Sequence, residues 1–453
     1  MPCIGNYRLL GLLGRGSTGS VYKVMDPAQN RLMAMKVLRP SRIMLDIVGF
    51  EELKRRFLKE AAIMKQLQHR HVANIFEVGE YNSLPFMVQE YLCLNLGLLI
   101  GESRRVELPT RVLSPLKALK IISQVLEALS GLHESGLVYR DVKPENIMLS
   151  KKGRVKIIDF GLSRFIRDKD QTPGGMIIGS PYYAAPEQVE KPERADQRSD
   201  IYSAGVVLYR MVTGNLPAIN EIDISRHSLL GPGWGCLLKT TLAVNPEHRF
   251  QDAAAMGREI EALKTDWKKR RKQVCALPGE NNKTMDQDYS PLRSRPVHTG
   301  RAGPEGLGNL NTLMQPREFI ENEFQKTGQG IWDQATGLIW AKCISPDQLS
   351  YDQGLQYVRE LNRKNPPEGP ESPTDPWRLP TVDELLSLLG PRQSLDDFCG
   401  PDLWGLKDRS WLWSFDSRSR TKAWIVDMDQ GAVLAQDRKC GFHVLPVRQA
   451  SCA

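Results

Sequence analysis

Between Lys268 and Gln315 the apolar periodicity that runs through the rest of the chain stops, and this break constrains the fold more than any other feature. Lys268, Lys269, Arg270, Arg271 and Lys272 form a basic run, and residues 276 to 316 are rich in Pro, Gly, Asn and Ser. Such a composition buries too little apolar surface to offset the entropy of an ordered chain. The 453 residues also exceed the ~250 to 300 at which single cores stop growing. Two folded domains and a flexible linker are therefore expected: residues 1–265, a linker over 266–323, and a second domain over 324–450. A hydrophobic content of 41% is enough for both cores.

The charged fraction of 25% and formal net charge of +8 describe a soluble, mildly basic chain. That balance suits anionic ligands such as nucleotides, and no nucleic-acid partner is expected from it. The N-terminus has no basic stretch ahead of an apolar run, and no window approaches the ~20 apolar residues that cross a bilayer. The expectation is a cytoplasmic protein without a membrane span. The eight cysteines are scattered, with no CxxC pair and no His at zinc spacing, and read as reduced thiols. A Cys399–Cys440 bridge is left open.

From Tyr7 to about Leu263 strand-like and helix-like segments alternate with short connections, an α+β pattern. Within it, LLGRGSTGSVYKV sets Gly14, Gly16 and Gly19 between two strand-like runs, Leu9 to Leu13 and Val21 to Val24. Glycines let backbone N–H groups approach a polyphosphate, and a strand–loop–strand setting suits a phosphate-covering hairpin. A dinucleotide fold would instead open a helix at the third glycine, and none is written here. A flexible turn is the plain alternative. The next strand, LMAMKVL, holds Lys36 among apolar neighbours, where an ammonium is costly unless an anion meets it. Residues 51 to 67 have helical periodicity, with Leu53, Phe57, Ala61 and Met64 on one face and Glu60 at its edge, placed to pair with Lys36.

An apolar helix from about Leu116 to His133 leads into GLVYRDVKPENIMLS and then VKIIDFGLS. This pair resembles the catalytic and metal loops of the eukaryotic-like (Hanks-type) bacterial serine/threonine protein kinases. Tyr139-Arg140-Asp141 stands where His-Arg-Asp is usual, and Asp159-Phe160-Gly161 is intact. The resemblance implies a bilobal kinase fold that transfers the γ-phosphate of ATP, with Mg2+ or Mn2+, to Ser or Thr hydroxyls of protein substrates. It implies that Asp141 takes the hydroxyl proton, that Asn146 and Asp159 hold the metal, and that Lys143 meets the γ-phosphate. Lys36 and Glu60 become the phosphate-aligning pair. The nucleotide would lie against Leu13, Gly14, Gly16, Gly19, Val21, Ala34 and Met148. If PFMVQEYL is the hinge between lobes, the carbonyl of Glu90 and the N–H of Leu92 would bond the adenine edge.

The resemblance continues through GSPYYAAPE, DQRSDIYSAGVVLYRMVTG and NPEHRF. It implies a peptide-binding loop, an Asp200 that anchors the catalytic loop, and an ion pair between Glu187 and Arg249. Lys143, two residues after the base, looks like the serine/threonine branch. Arg140 resembles the arginine that pairs with an activation-segment phosphate, here on Thr172, with Ser180 nearer the peptide-binding loop. A merely solvated threonine is the alternative. Autophosphorylation through a transient dimer is expected. A catalytically dead scaffold and a small-molecule phosphotransferase are the competing readings. The presence of Lys36, Glu60, Asp141, Asn146 and Asp159 argues against the first, and GSPYYAAPE against the second.

After the break, GIWDQATGLIW reads as a hairpin with Trp332 and Trp340 as apolar anchors. SYDQGLQYVRELN fits a helix with Leu355, Val358 and Leu361 inward. WRLPTVDELLSLLG carries a Thr381/Glu384 capping box ahead of a helix that closes at Gly390. Strands follow at WLWSF, AWIVDM, AVLAQ and HVLPVR. The W-x-D-x-x-T-G-L-x-W and W-R-L-P-T-x-x-E-L patterns resemble the Lcl C-terminal domain family, which implies a small mixed α/β, C-type-lectin-like fold. Calcium-binding signatures of C-type lectins are missing, so no calcium site is expected. A small ligand or protein partner is expected at this domain. Trp404, Trp411 and Trp413 either stack on that ligand or pack the core.

Overall fold

The computed structural model describes residues 3–449 apart from 17, 104, 151–152, 159–163, 166–180, 219–221, 223, 225–229, 275–291, 301–303, 305–306, 329, 365–374, 395–396, 400–403 and 405–410. The chain divides into two compact units at Arg271 and Lys272.

The first unit opens on β1 (Cys3–Ile4), β2 (Tyr7–Arg15), β3 (Gly19–Asp26) and β4 (Arg31–Leu38), followed by α1 (Arg42–Val48) and α2 (Phe50–Gln66). β5 (Ile75–Tyr81) and β6 (Leu84–Glu90) complete an antiparallel sheet in the order β1-β2-β3-β4-β6-β5. Alternation sends Val24, Met33, Met35, Val37, Phe86 and Val88 into one core. The buried face of α2 is Leu53, Phe57, Ala61 and Met64, the stripe legible in the sequence. Gly19 has a packing reason to be glycine, because a Cβ there would sit 2.4 Å from the Val37 carbonyl oxygen. Around Gly14 and Gly16 a Cβ would meet nothing within 4 Å.

Beyond β6 come β7 (Leu94–Asn95), α3 (Leu96–Ile100), α4 (Pro115–Glu134), β8 (Leu137–Val138), β9 (Ile147–Leu149), β10 (Val155–Ile157) and β11 (Arg164–Phe165). Then follow α5 (Pro186–Glu190), α6 (Gln197–Thr213), α7 (Pro232–Thr241) and α8 (Ala253–Val274). Every residue of α6 from Ser199 to Thr213 is buried, so this helix is the axis of its lobe rather than an amphipathic surface helix. Its left-handed cap, Gly214, has φ +76°, a conformation glycine adopts without strain.

The second unit holds β12 (Phe324–Lys326), β13 (Ile331–Asp333), β14 (Leu338–Trp340), α9 (Tyr351–Lys364), α10 (Val382–Ser387), β15 (Leu389–Ser394), β16 (Asp397–Cys399), β17 (Trp411–Ser417), β18 (Lys422–Asp427), β19 (Ala432–Asp437) and β20 (Val447–Gln449). Its main sheets run β12-β13-β14-β20 and β17-β18-β19. Asp333, fully buried, builds the first hairpin turn by accepting from Thr336 Oγ1 at 2.6 Å and from the N–H groups of Ala335 and Glu323 at 3.2 and 3.1 Å. The capping box forms as expected. Thr381 Oγ1 accepts from Glu384 N at 3.2 Å, and Glu384 Oε2 accepts from Thr381 N at 2.8 Å.

Four expectations are corrected. The linker is shorter than 266–323, because α8 continues to Val274 and Arg293, Thr299 and Met314 already bond into the second unit. Arg293 reaches both carboxylate oxygens of the buried Asp416 at 2.8 and 2.9 Å. Thr299 N–H donates to the Ser417 carbonyl, and Val433 N–H to the Met314 carbonyl. Polar composition misled here because these residues gain hydrogen bonds and ion pairs rather than an apolar stripe of their own. The helix expected to close at Gly390 ends at Ser387, since Pro391 favours an extended chain before it, and Leu389–Ser394 is a strand. The last strand is only Val447–Gln449, consistent with Pro446, which has no N–H to give a ladder. Finally, not all eight cysteines are reduced, since Cys440 is disulfide-bonded, while Cys3, Cys236 and Cys343 are free. The side chain of Cys399 lies outside the described residues. Among the described residues no helix is long and apolar enough to cross a membrane.

Candidate active site

The glycine-bearing strands, the lysine strand and the strand ending at Glu90 are adjacent. Val21 pairs with Lys36, Lys36 with Met87, Ala34 with Gln89 and Met33 with Glu90. Backbone register alone therefore gathers most of the residues read as nucleotide-lining onto one sheet. Lys36 is 6% exposed, a burial that an ammonium tolerates only with compensation. Glu60 lies on α2, half-buried beside the Ala61 face. Met148 lies on β9 in the other lobe, opposite Lys156 of β10.

The segment after β8 is held from beneath by one carboxylate. Asp200, in the first turn of α6 and fully buried, accepts from the N–H of Tyr139 at 2.8 Å and of Arg140 at 2.7 Å. Its Oδ2 also meets His133 Nε2 at 2.8 Å. Arg140 has φ +66°, a conformation costly for a non-glycine residue. The Asp200 bonds and the Gln188 amide, which donates to the Arg140 carbonyl at 2.8 Å, hold it there. The Arg140 guanidinium donates to the carbonyls of Pro192 and Ala195 at 2.9 and 3.2 Å. Tyr139 donates its hydroxyl to the carbonyl of Ile158, which ties the loop to the end of β10.

This scaffold presents Asp141. Its Oδ2 accepts from Lys143 Nζ at 2.9 Å and from Asn146 Nδ2 at 2.8 Å, and Asn146 Nδ2 also reaches the Asp141 carbonyl at 3.0 Å. With its nitrogen turned to Asp141, Asn146 has its amide oxygen left for a cation. An oxygen donor suits the hard divalent ions of phosphoryl transfer, so the donor set fits Mg2+ or Mn2+. The bare backbone around Gly14 and Gly16 fits a polyphosphate in the same sense. Asp159, Thr172 and Ser180 lie outside the described residues.

Glu187 and Arg249 pair through two parallel bonds of 2.7 and 2.8 Å, with Ser199 Oγ donating a third at 2.7 Å. Burial opposes ionisation of Glu187, but the bonds from Arg249 and Ser199 and the guanidinium charge outweigh it and hold its pKa below the ordinary value. A second buried cluster was not legible in the sequence. Tyr183 donates to Glu102, which lies 3.1 Å from Arg210 Nε. Burial pushes both the Glu102 carboxyl and the Tyr183 hydroxyl upward. His133, Gln188 and Glu102 lie outside the quoted motifs and Arg210 had no role assigned within its own, and only the fold brings them to the loops they hold.

In the second unit Trp413 is fully buried and donates to the Leu349 carbonyl at 2.8 Å, and Trp404 donates to the Ala341 carbonyl at 2.8 Å. Trp411 and Trp413 both meet Phe442 edge-on. The core reading of these tryptophans is the one their contacts favour.

Residues 7–254 match the protein kinase domain model, and residues 329–448 match the Lcl C-terminal domain model. Serine/threonine-protein kinase PknL of Mycobacterium tuberculosis (strain CDC 1551 / Oshkosh) is 32% identical over 360 residues, 74% of this chain and 86% of that protein. Serine/threonine-protein kinase PksC of Streptomyces coelicolor is 34% identical over 275 residues, 56% of this chain and 48% of the relative. Among solved structures, a double mutant of the Mycobacterium tuberculosis PknI kinase domain aligns with a TM-score of 0.45 at 24% identity, covering 57% of this chain and 96% of that one.

Proposed function

The chain belongs to the protein kinase family and is a protein serine/threonine kinase, and from that premise we propose a division of labour in which Asp141 accepts the proton of the attacking Ser or Thr hydroxyl. The observation that carries this reading is the convergence of Lys143 and Asn146 on the Asp141 carboxylate, above two backbone N–H groups fixed by Asp200. A carboxylate so held keeps one orientation without spending substrate binding energy on it. Lys143 is placed to leave Asp141 for the γ-phosphate oxygens once nucleotide is present. Lys36, aligned by Glu60, holds the other phosphates under Gly14 and Gly16. Leu13, Val21, Ala34 and Met148 enclose the adenine, whose edge meets the Glu90 carbonyl and the Leu92 N–H.

Asn146 and Asp159 would hold the divalent ion. When bound, that ion neutralises charge on the transferring phosphoryl group. Arg140 answers a phosphate on Thr172, with Ser180 a second acceptor, and transient dimers carry out the autophosphorylation. The second unit, with a C-type-lectin-like fold, binds a small ligand or a protein partner and thereby modulates transfer.

Two measurements test this. Transfer of labelled γ-phosphate to a generic basic protein should fall about 10³-fold in Asp141→Asn; parent-level transfer in a preparation free of other kinases would remove Asp141 from its role. Initial rates of the full chain and of residues 1–274, cut beyond α8 rather than inside it, should differ. Equal rates would reduce the second unit to a targeting device.

A further inference from the structure

The side chain of Glu90 is fixed as firmly as its backbone. Glu90 is the last residue of β6, and the chain leaves the sheet directly after it. Its N–H donates to the Asn74 carbonyl at 3.2 Å, and its Oε1 accepts from the Asn74 N–H at 3.1 Å. The same oxygen is paired with Lys156 Nζ, which also donates to the Val72 carbonyl at 3.3 Å. The two side chains are only 11% and 15% exposed, so solvent screens this pair far less than a surface salt bridge.

Lys156 stands in the middle of β10, and that strand is anchored at several points. Ile157 N–H donates to the His71 carbonyl at 2.9 Å, Ala73 N–H to the Ile157 carbonyl at 3.0 Å, and Ile158 N–H to the Asn146 carbonyl at 3.1 Å. One lysine thus joins the end of β6 in one lobe to the strand that leads to Ile158 and Asp159 in the other. Removing the ammonium would leave a poorly hydrated carboxylate that keeps the Asn74 N–H as its donor among the described residues, and Glu90 would have to rotate toward water to recover solvation.

We infer that Lys156 is a positioning residue for adenine: through Glu90 it sets the direction of the Glu90 carbonyl and the Leu92 N–H. This rests on the reading of those two groups as the adenine contacts. The lysine is not one of the residues read as holding phosphate, so its loss falls on base recognition and leaves phosphate binding in place.

The test uses the full chain, with adenosine and inorganic tripolyphosphate as competitors against ATP. In Lys156→Met the inhibition constant of adenosine and the KM for ATP should rise about tenfold while kcat stays within about twofold. The inhibition constant of tripolyphosphate should not move. Lys156→Arg should restore adenosine binding to within about threefold of the parent, since a guanidinium can meet the same carboxylate. Equal weakening of both competitors, or a fall in kcat with adenosine unaffected, would overturn the inference. If Lys156→Met does not fold, Glu90→Gln decides by the same comparison, because it removes the charge and keeps the main-chain carbonyl. Failure of adenosine to compete in the unsubstituted chain would instead overturn the nucleotide-site reading on which the inference stands.

Discussion

The catalytic loop of the first unit and the capped helix of the second both bury carboxylates, but they put them to different use. Asp200 is fully buried, and two of its partners are backbone N–H groups of the segment that ends at Asp141. Its bonds hold a loop that carries the carboxylate of Asp141, met there by Lys143 and Asn146. Asp416 is equally buried and accepts from Arg293 and from the N–H groups of Val297 and Val382. Glu384 is likewise consumed by Arg378 and the cap of α10. In the first unit buried charge aims another group. In the second it closes on itself and staples the leading segment to the core, so the motifs there mark a fold rather than an activity.

The comparison breaks most visibly at Asp141. Asp141→Asn should lower kcat by about 10³-fold, within the range seen when a general base is lost, while hydrogen exchange in both units stays as it was. Protection lost across the first unit would mean that the carboxylate serves stability as well. Arg249→Met leaves Glu187 buried with Ser199 and a backbone N–H but no cation, and should destabilise the first unit by about 3 kcal/mol. Exchange protection should fall there and not in the second unit.

The same pair gives a pH signature. The folded-state pKa of Glu187 is lowered from its ordinary value of 4.5. Its contribution is therefore present above that value and fades as pH falls through the lower folded one. Acid-titrated stability of Arg249→Met should lack this component, and an unchanged slope would show that the pair is not its source.

Arg293→Met tests the second half of the comparison. Asp416 keeps two backbone donors, so the expected loss is about 2 kcal/mol, confined to the second unit. Unchanged phosphate transfer by this variant at a temperature where the second unit remains folded would sharpen the contrast; a changed rate would tie the staple to catalysis. The smallest effect is expected for Trp404→Phe, which keeps the ring against Phe324 and Trp340 but gives up one hydrogen bond to the Ala341 carbonyl, about 1 kcal/mol. A much larger loss of a ligand's affinity than of stability would restore Trp404 to a binding role.

The order of elements in the first unit, the buried face of α2, the position of Lys36 on the strand after the glycine loop, and the hairpin and capping box of the second unit are all legible in the chain. These are set by periods of 2 and 3.6 residues and by side chains acting on neighbours a few positions away, and both are written locally. Contacts distant in the chain show instead that a Cβ at Gly19 would meet the Val37 carbonyl, that Arg293, Thr299 and Met314 bond into the second unit, that His133 and Gln188 brace Asp200 and Arg140, and that Lys156 pairs with Glu90. Each of these depends on groups separated by many residues in the chain. A charge or an amide at such a distance leaves no period behind it, and its partner is fixed only when the backbone between them has folded.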